Sequence, residues 1–328
     1  MHPLVSRIRP SLRTAAVSWT VLRALAWLLA GRAGAVWPQL EREGYEVGGA
    51  LWVVSVRGLR EVSGMLPTVA GVDGSVALLA AAGEFALLVG AVALYAAARR
   101  RELPQTADRA TWLWLASPVA ALTLPVGPWN FAAPAALGAI WAVSTARPVA
   151  ASALLAVAVG FRPELVLLAP GLAWGCWREC SPDGRAFGTW LMATLPAAAF
   201  TACVVAALGL VVGTELPMHG LYPGEGWRRS FQTDQLLATT SLMVLVLGAS
   251  AVAAALIREI AEMPAYWTAL ALPLIVWPFL HRPAVVAAGI WLVAVPLFVA
   301  LARTLEHRGV ERAAFAAMLG GQWLWLVA

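Results

Sequence analysis

The sequence predicts an all-α fold, a polytopic bundle of about 9–11 transmembrane helices, on three observations. The chain is 61% hydrophobic and only 12% charged, whereas soluble domains lie nearer half apolar and a quarter charged. Its mean hydropathy is +0.75. Apolar runs of spanning length follow one another along nearly all of its 328 residues. A single membrane domain over 1–328 is therefore expected, although the length alone would suit two soluble domains.

Candidate spans lie near 15–37, 74–98, 110–126, 129–146, 187–213, 235–257, 266–281, 283–302 and 313–328. The first run, from about Ala15, lacks a small-residue cleavage site and reads as a signal anchor. The block 148–177 is too long for one span and too short for two ordinary ones. It is split in "VAVGFRPELVLLAPG" (157–171) by Arg162, Pro163 and Glu164. Broken helices at membrane depth are tolerated only where protein or a water-filled cavity covers them.

Charge orients these spans. All 23 basic residues are arginine. They cluster at Arg7, Arg9 and Arg13, in "ARRRE" at 98–102 with Arg109, at Arg147, at Arg178 and Arg185, at Arg258, and at Arg303, Arg308 and Arg312. Positive charge marks the cytoplasmic side, and one alternation with a cytoplasmic N-terminus satisfies every cluster. The outer side then receives the loops 38–73 and 214–234, the Arg162 turn, and His281 with Arg282. This places the chain in a prokaryotic plasma membrane, among membrane lipids. Within 38–73, "GGALWVVSVRGLREVSG" (48–64) sets Leu51, Val54, Leu59 and Val62 against Arg57, Arg60 and Glu61. That pattern suits a helix lying in the outer interface or an ordinary packed loop helix.

Several classes of function are excluded or disfavoured. The net charge of +5 reflects span-flanking arginines, so no nucleic-acid partner is expected. Cys176, Cys180 and Cys203 make neither a disulfide framework nor a zinc spacing, although the first two could share a helical face. No Walker element or other nucleotide motif argues for an ATP-driven pump, and no solenoid repeat is present.

Ionisable residues inside spans cost several kcal/mol, roughly 3 each at the bilayer centre. Glu84 in the second span reads as a hydrogen-bonded helix contact, and Arg32 as a snorkelling end residue. The outer loops hold the chemistry. "WPQLEREGYEVGG" (37–49) supplies Glu41, Glu43 and Tyr45, and "LYPGEGWRRSFQTDQ" (221–235) supplies Trp227, Arg228 and Arg229. Arginines bind phosphate by paired hydrogen bonds, and aromatic rings beside acids suit sugars or headgroups. A carboxylate such as Glu41 or Glu43 would act as base on an acceptor hydroxyl. Arg228 and Arg229 would stabilise a leaving phosphate, with Tyr45, Trp227 and Arg282 on the substrate and Arg162 and Glu164 lining the outer cavity.

The order of these features resembles the GT-C superfamily of integral-membrane glycosyltransferases, most of all its GPI mannosyltransferase II (PIG-V-like) branch. "VWPQLEREGY" (36–45) keeps Trp37 and the closing Gly44-Tyr45 of that family's first outer loop. "ALYAAARRRE" (93–102) is similar to its basic second-span end, 112–170 to its helix leading to a Thr-Arg-Pro-x-Gly-like element, and 281–303 to its late span. The resemblance implies a polyprenyl-phosphate-mannose donor, transfer to a lipid or glycan acceptor on the outer face, and room for a divalent cation, for which no ligand cluster argues here. The pattern departs at two acids. The loop aspartate would fall near Ala33, yet the first aspartate is Asp73. The acid after the third span is replaced in "PVGPWNFAAP" (125–134), which offers Asn130. Either Glu41 or Glu43 substitutes, or the chain is a non-catalytic relative that binds lipid-linked sugar or a membrane protein partner. A transporter or flippase is the third alternative.

Overall fold

Proline sets several of the helix boundaries. In a computed structural model, residues 12–32, 49–61, 65, 67–68, 73–117, 120, 127–180, 263–280, 288–305 and 308–327 are described. They form ten α-helices: α1 (Leu12–Arg32), α2 (Ala50–Glu61), α3 (Gly74–Arg99), α4 (Pro104–Ala116), α5 (Trp129–Ser144), α6 (Pro148–Phe161), α7 (Ala169–Cys180), α8 (Ala265–Leu280), α9 (Val295–Thr304) and α10 (Arg308–Val327). Two 3-10 segments, Pro163–Leu168 and Ala288–Val293, precede α7 and α9. No strand occurs among the described residues, so the all-α class stands there.

Proline lacks an N–H and is pre-set for the first helical turn, which accounts for Pro104, Pro148 and Pro163 at helix starts. Asp73 accepts the Ser75 N–H at 2.8 Å and so caps α3. Ser117 precedes Pro118 and is extended, with ψ 133°, as the proline ring demands of its predecessor. Of the span expected over 110–126, residues 110–116 lie in Pro104–Ala116, and 118–119 and 121–126 lie outside the described residues. The span expected over 283–302 differs. A 3-10 segment ends at Val293, Ala294 leaves helical geometry, and α9 begins afresh with Pro296 in its first turn.

The chain divides into two units. One comprises Met1–Arg23, Leu94–Leu122 and Pro223–Ala328. In it, α4 buries Ala107 and the run from Ala110 to Ala116. Trp112 meets Phe315 of α10 edge-on, with centroids 4.9 Å apart. Trp114 stacks on Trp19 at 5.9 Å and donates its indole N–H to the Leu292 carbonyl at 2.7 Å. Arg23, buried in mid-helix, lies over Trp19. Glu102 receives Arg303 through two hydrogen bonds of 3.1 and 2.6 Å, and Arg109 meets Glu311 at 3.2 Å.

The other unit comprises Ala24–Ala93 and Thr123–Tyr222. Here α3 lies against α5 through two small residues. Gly83 faces Asn130 and Gly90 faces Pro134, where a Cβ would come within 3.1 Å of each neighbour. A second core joins Trp52, Val56, Val76, Leu79 and Ala80, with Leu59, Phe131 and Phe161 packed on it. The apolar face of α2 is thus part of this core. Its buried residues are Trp52, Val53 and Val56, while Leu51 and Val54 are only half-buried; the helix is turned from the expected face.

The outward faces are apolar. On α1, Val17, Val21 and Leu25 are exposed; on α3, Leu78, Phe85, Leu88, Val89 and Val92 are, with Phe85 70% accessible. Among the described residues, α3 alone is long and apolar enough to cross a membrane, while α6 and α9 are shorter apolar helices.

Candidate functional site

The site is assembled around the break in the 148–180 stretch. Arg162 ends α6 and precedes Pro163, so its backbone is extended, with φ −141° and ψ 101°. Its N–H still closes the helix on the Ala158 carbonyl at 2.8 Å, and its own carbonyl accepts the Leu165 N–H at 3.1 Å. The turn is thereby fixed on both sides. Both charged side chains point inward: Arg162 is 4% and Glu164 3% exposed.

Arg162 directs both Nε, at 2.7 Å, and Nη2 to one oxygen, Glu164 Oε1. This is not the paired fork in which each nitrogen takes its own oxygen. It leaves Arg162 Nη1 and Glu164 Oε2 buried with no partner among the described residues. The guanidinium also lies over the Trp129 ring, 4.6 Å from its centroid, a favourable cation–π position.

The N-terminal turn of α5 completes the cluster. Trp129 Nε1 and Asn130 Nδ2 are buried and unpartnered. Asn130 uses its Oδ1 to accept the Gly127 N–H at 3.1 Å. Pro134, inside α5, has no N–H to offer the carbonyl four residues earlier, that of Asn130. Three side-chain donors and one side-chain acceptor are thus left open on neighbouring residues. Buried polar groups ordinarily find partners, and each one left without costs roughly 1–3 kcal/mol. A donor-rich set of this kind suits a ligand presenting several acceptor oxygens, such as phosphate or sugar.

The start of α2 is tied to the same turn. Gly49 donates its N–H to the Phe161 carbonyl at 2.8 Å. The approach is close enough that a Cβ at Gly49 would fall on the Gly160 carbonyl, and one at Gly160 on the Leu51 side chain. Phe161 stacks on Phe131 at 5.2 Å, and Phe131 meets Trp52 at 6.2 Å. The start of α2, the start of α5 and the Arg162 turn therefore meet in one place.

Of the residues singled out from sequence, Arg162 and Glu164 are brought together as a buried pair. Glu41, Glu43, Tyr45, Trp227, Arg228, Arg229 and Arg282 lie outside the described residues. Glu84 is half-buried in α3, and Cys176 is buried in α7 and in no disulfide. Sequence reasoning passed over Trp129, which sits in an apolar run, and noted Asn130 only as the residue standing where an acid was expected. It also passed over Arg23, although a lone cation in mid-helix was a readable signal. No group of three or more His, Cys, Asp or Glu able to hold a metal occurs among the described residues. Comparison with protein-family models, curated proteins and solved structures gave no match to this chain.

Proposed function

We propose that the chain is a polytopic membrane protein of GT-C type that binds a polyprenyl-phosphate sugar at its outer face and transfers the sugar, mannose or a related hexose, to a lipid or glycan acceptor. The observation carrying this reading is the open donor set of Arg162 Nη1, Trp129 Nε1 and Asn130 Nδ2 around a buried guanidinium. These groups would hold the donor phosphate and stabilise the charge that develops as the sugar leaves. Glu164 keeps Arg162 oriented. Tyr45, four residues before Gly49 in sequence, would contact the substrate. Glu43 and Glu41 precede it as bases for the acceptor hydroxyl.

The membrane setting rests on the apolar outward faces of α1 and α3, since exposed apolar surface of that extent marks contact with lipid or protein. The sidedness is supported by Glu102–Arg303 and Arg109–Glu311, which join two segments that the arginine distribution assigns to the cytoplasm. A plasma-membrane location with a cytoplasmic N-terminus follows from the same distribution.

The test uses membranes carrying the full chain and polyprenyl-phosphate-mannose. Glu41→Gln/Glu43→Gln is expected to lower transfer by about 10²–10⁴-fold, the usual contribution of a general base, while leaving donor binding in place. Wild-type transfer by that double variant would refute the role of the two glutamates. A second reading, a non-catalytic lipid-sugar-binding subunit, is favoured by one observation: the carboxylate in the described cluster, Glu164, is already engaged by Arg162. Donor binding by the wild type with no transfer to any acceptor would assign that reading. Failure to bind the donor would refute both.

A further inference from the structure

A cleft of about 410 Å³ opens in the first unit, lined by Leu12, Arg13, Gln105, Asp108, Arg109, Trp112 and Glu311. This volume lies within the range of small-ligand sites. Its construction is regular. Gln105, Asp108, Arg109 and Trp112 fall at i, i+3, i+4 and i+7 on α4, hence on one helical face. Arg13 comes from the first turn of α1 and Glu311 from the first turn of α10.

The lining charges are four, two of each sign, and they are unequally engaged. Arg109 and Glu311 hold each other through a single hydrogen bond of 3.2 Å from Arg109 Nε, which leaves the Arg109 Nη groups open. Arg13 and Asp108 are exposed, and neither has a partner among the described residues. Trp112 is almost completely buried at the cleft wall, and its indole N–H has no acceptor among the described residues. The α4 N-cap, Leu103, supplies no side-chain cap, so first-turn N–H groups of that helix add to the donors, and helix N-termini favour anions. The cleft therefore offers cationic and N–H donors for an anion together with one uncommitted carboxylate.

We infer that this cleft binds a phosphate diester bearing an ammonium group, the chemistry of a phosphoethanolamine head. Arg13, Arg109 and Trp112 take the phosphate oxygens, and Asp108 takes the ammonium. The inference is independent of the lipid-sugar reading, which concerns other residues in the other unit.

The test is native mass spectrometry of the full chain in detergent with equal amounts of phosphatidylethanolamine, phosphatidylglycerol and phosphatidylcholine. Phosphatidylethanolamine is expected to be retained about tenfold over phosphatidylglycerol, the scale of one charge-assisted hydrogen bond. It is also expected to be retained over phosphatidylcholine, whose ammonium has no N–H. Asp108→Asn should remove that preference, and Arg13→Gln should lower retention of both diesters about tenfold. Both positions are exposed, and unchanged thermal unfolding of each variant checks the fold. Calorimetry with soluble glycerophosphoethanolamine separates the sources: binding that depends on Asp108 assigns a free solute, and lipid retention without it assigns the bilayer. Equal retention of phosphatidylglycerol, or indifference to Asp108→Asn, overturns the inference.

Discussion

The two units each contain arginine–glutamate pairs, and the pairs differ in kind. Arg162 and Glu164 are two residues apart and buried to 5% and 4% of their side chains. Arg303 and Glu102 are 201 residues apart and keep 18% and 9% of theirs, while Arg109 and Glu311, 202 apart, keep 21% and 15%. The long-range pairs tie distant segments together at partly hydrated positions. The local pair ties nothing that Pro163 has not already joined, yet it carries the larger desolvation cost and leaves polar atoms open. A buried pair that cross-links no distant segments and remains incompletely bonded is better explained by what it binds than by what it stabilises. The comparison thus sets the Glu102–Arg303 pair down to architecture and makes the Arg162–Glu164 pair the candidate for the ligand chemistry proposed above.

The sharpest way to break this contrast is to remove one partner of the local pair. Glu164→Leu leaves a buried guanidinium uncompensated and is expected to destabilise by about 3–5 kcal/mol, whereas the double change Arg162→Met/Glu164→Leu should recover most of that loss. Thermal unfolding of the detergent-solubilised chain reads both. The double variant should fold and fail to bind a polyprenyl-phosphate sugar. If it folds and binds the donor as the wild type does, the cluster is structural and the functional contrast disappears.

A smaller effect tests the packing that holds α2 to the Arg162 turn. At Gly49 an added methyl would meet the Gly160 carbonyl, whereas at Gly58, in the same helix, it would meet nothing within 4 Å. Gly49→Ala is expected to destabilise by about 1–3 kcal/mol through overpacking. Gly58→Ala should stabilise by about 0.5–1 kcal/mol, the helix-propensity difference. Opposite shifts in unfolding temperature support the close approach; a stabilising Gly49→Ala contradicts it.

These two glycines also mark how far the sequence could be read. Helix positions were legible where a local cause acts: the apolar run of α3 and the Arg162-Pro163 break. The buried face of α2 was not, because packing against Val76, Leu79 and Ala80 of α3 buries Trp52 and Val56, which the alternation of Leu51, Val54, Leu59 and Val62 did not single out. The 3-10 segment before α9 was hidden for a related reason. Its residues Ile290, Leu292 and Val293 are completely buried, and an apolar run reads alike in either helix type. In the site, charge inside an apolar run exposed Arg162 and Glu164. Trp129 and Asn130 carry no charge, and only the fold places their donors beside the pair.

The smallest predicted effect concerns the long-range pair at Glu102. Its two hydrogen bonds to Arg303 have favourable geometry, 3.1 Å from Nε to Oε2 and 2.6 Å from Nη2 to Oε1, so each nitrogen takes its own oxygen. The partial hydration of both side chains screens the attraction. A double-mutant cycle with Glu102→Gln and Arg303→Gln is expected to give a coupling of about 0.5–1 kcal/mol, near the upper end for accessible pairs. The coupling should fall as salt is raised toward 1 M, where the screening length is about 3 Å. The buried pair should respond little to salt, since screening ions do not reach it. A Glu102–Arg303 coupling of several kcal/mol that ignores salt would mean that this pair is as desolvated as Arg162–Glu164. The distinction between an architectural and a ligand-binding pair would then rest on the open polar atoms alone.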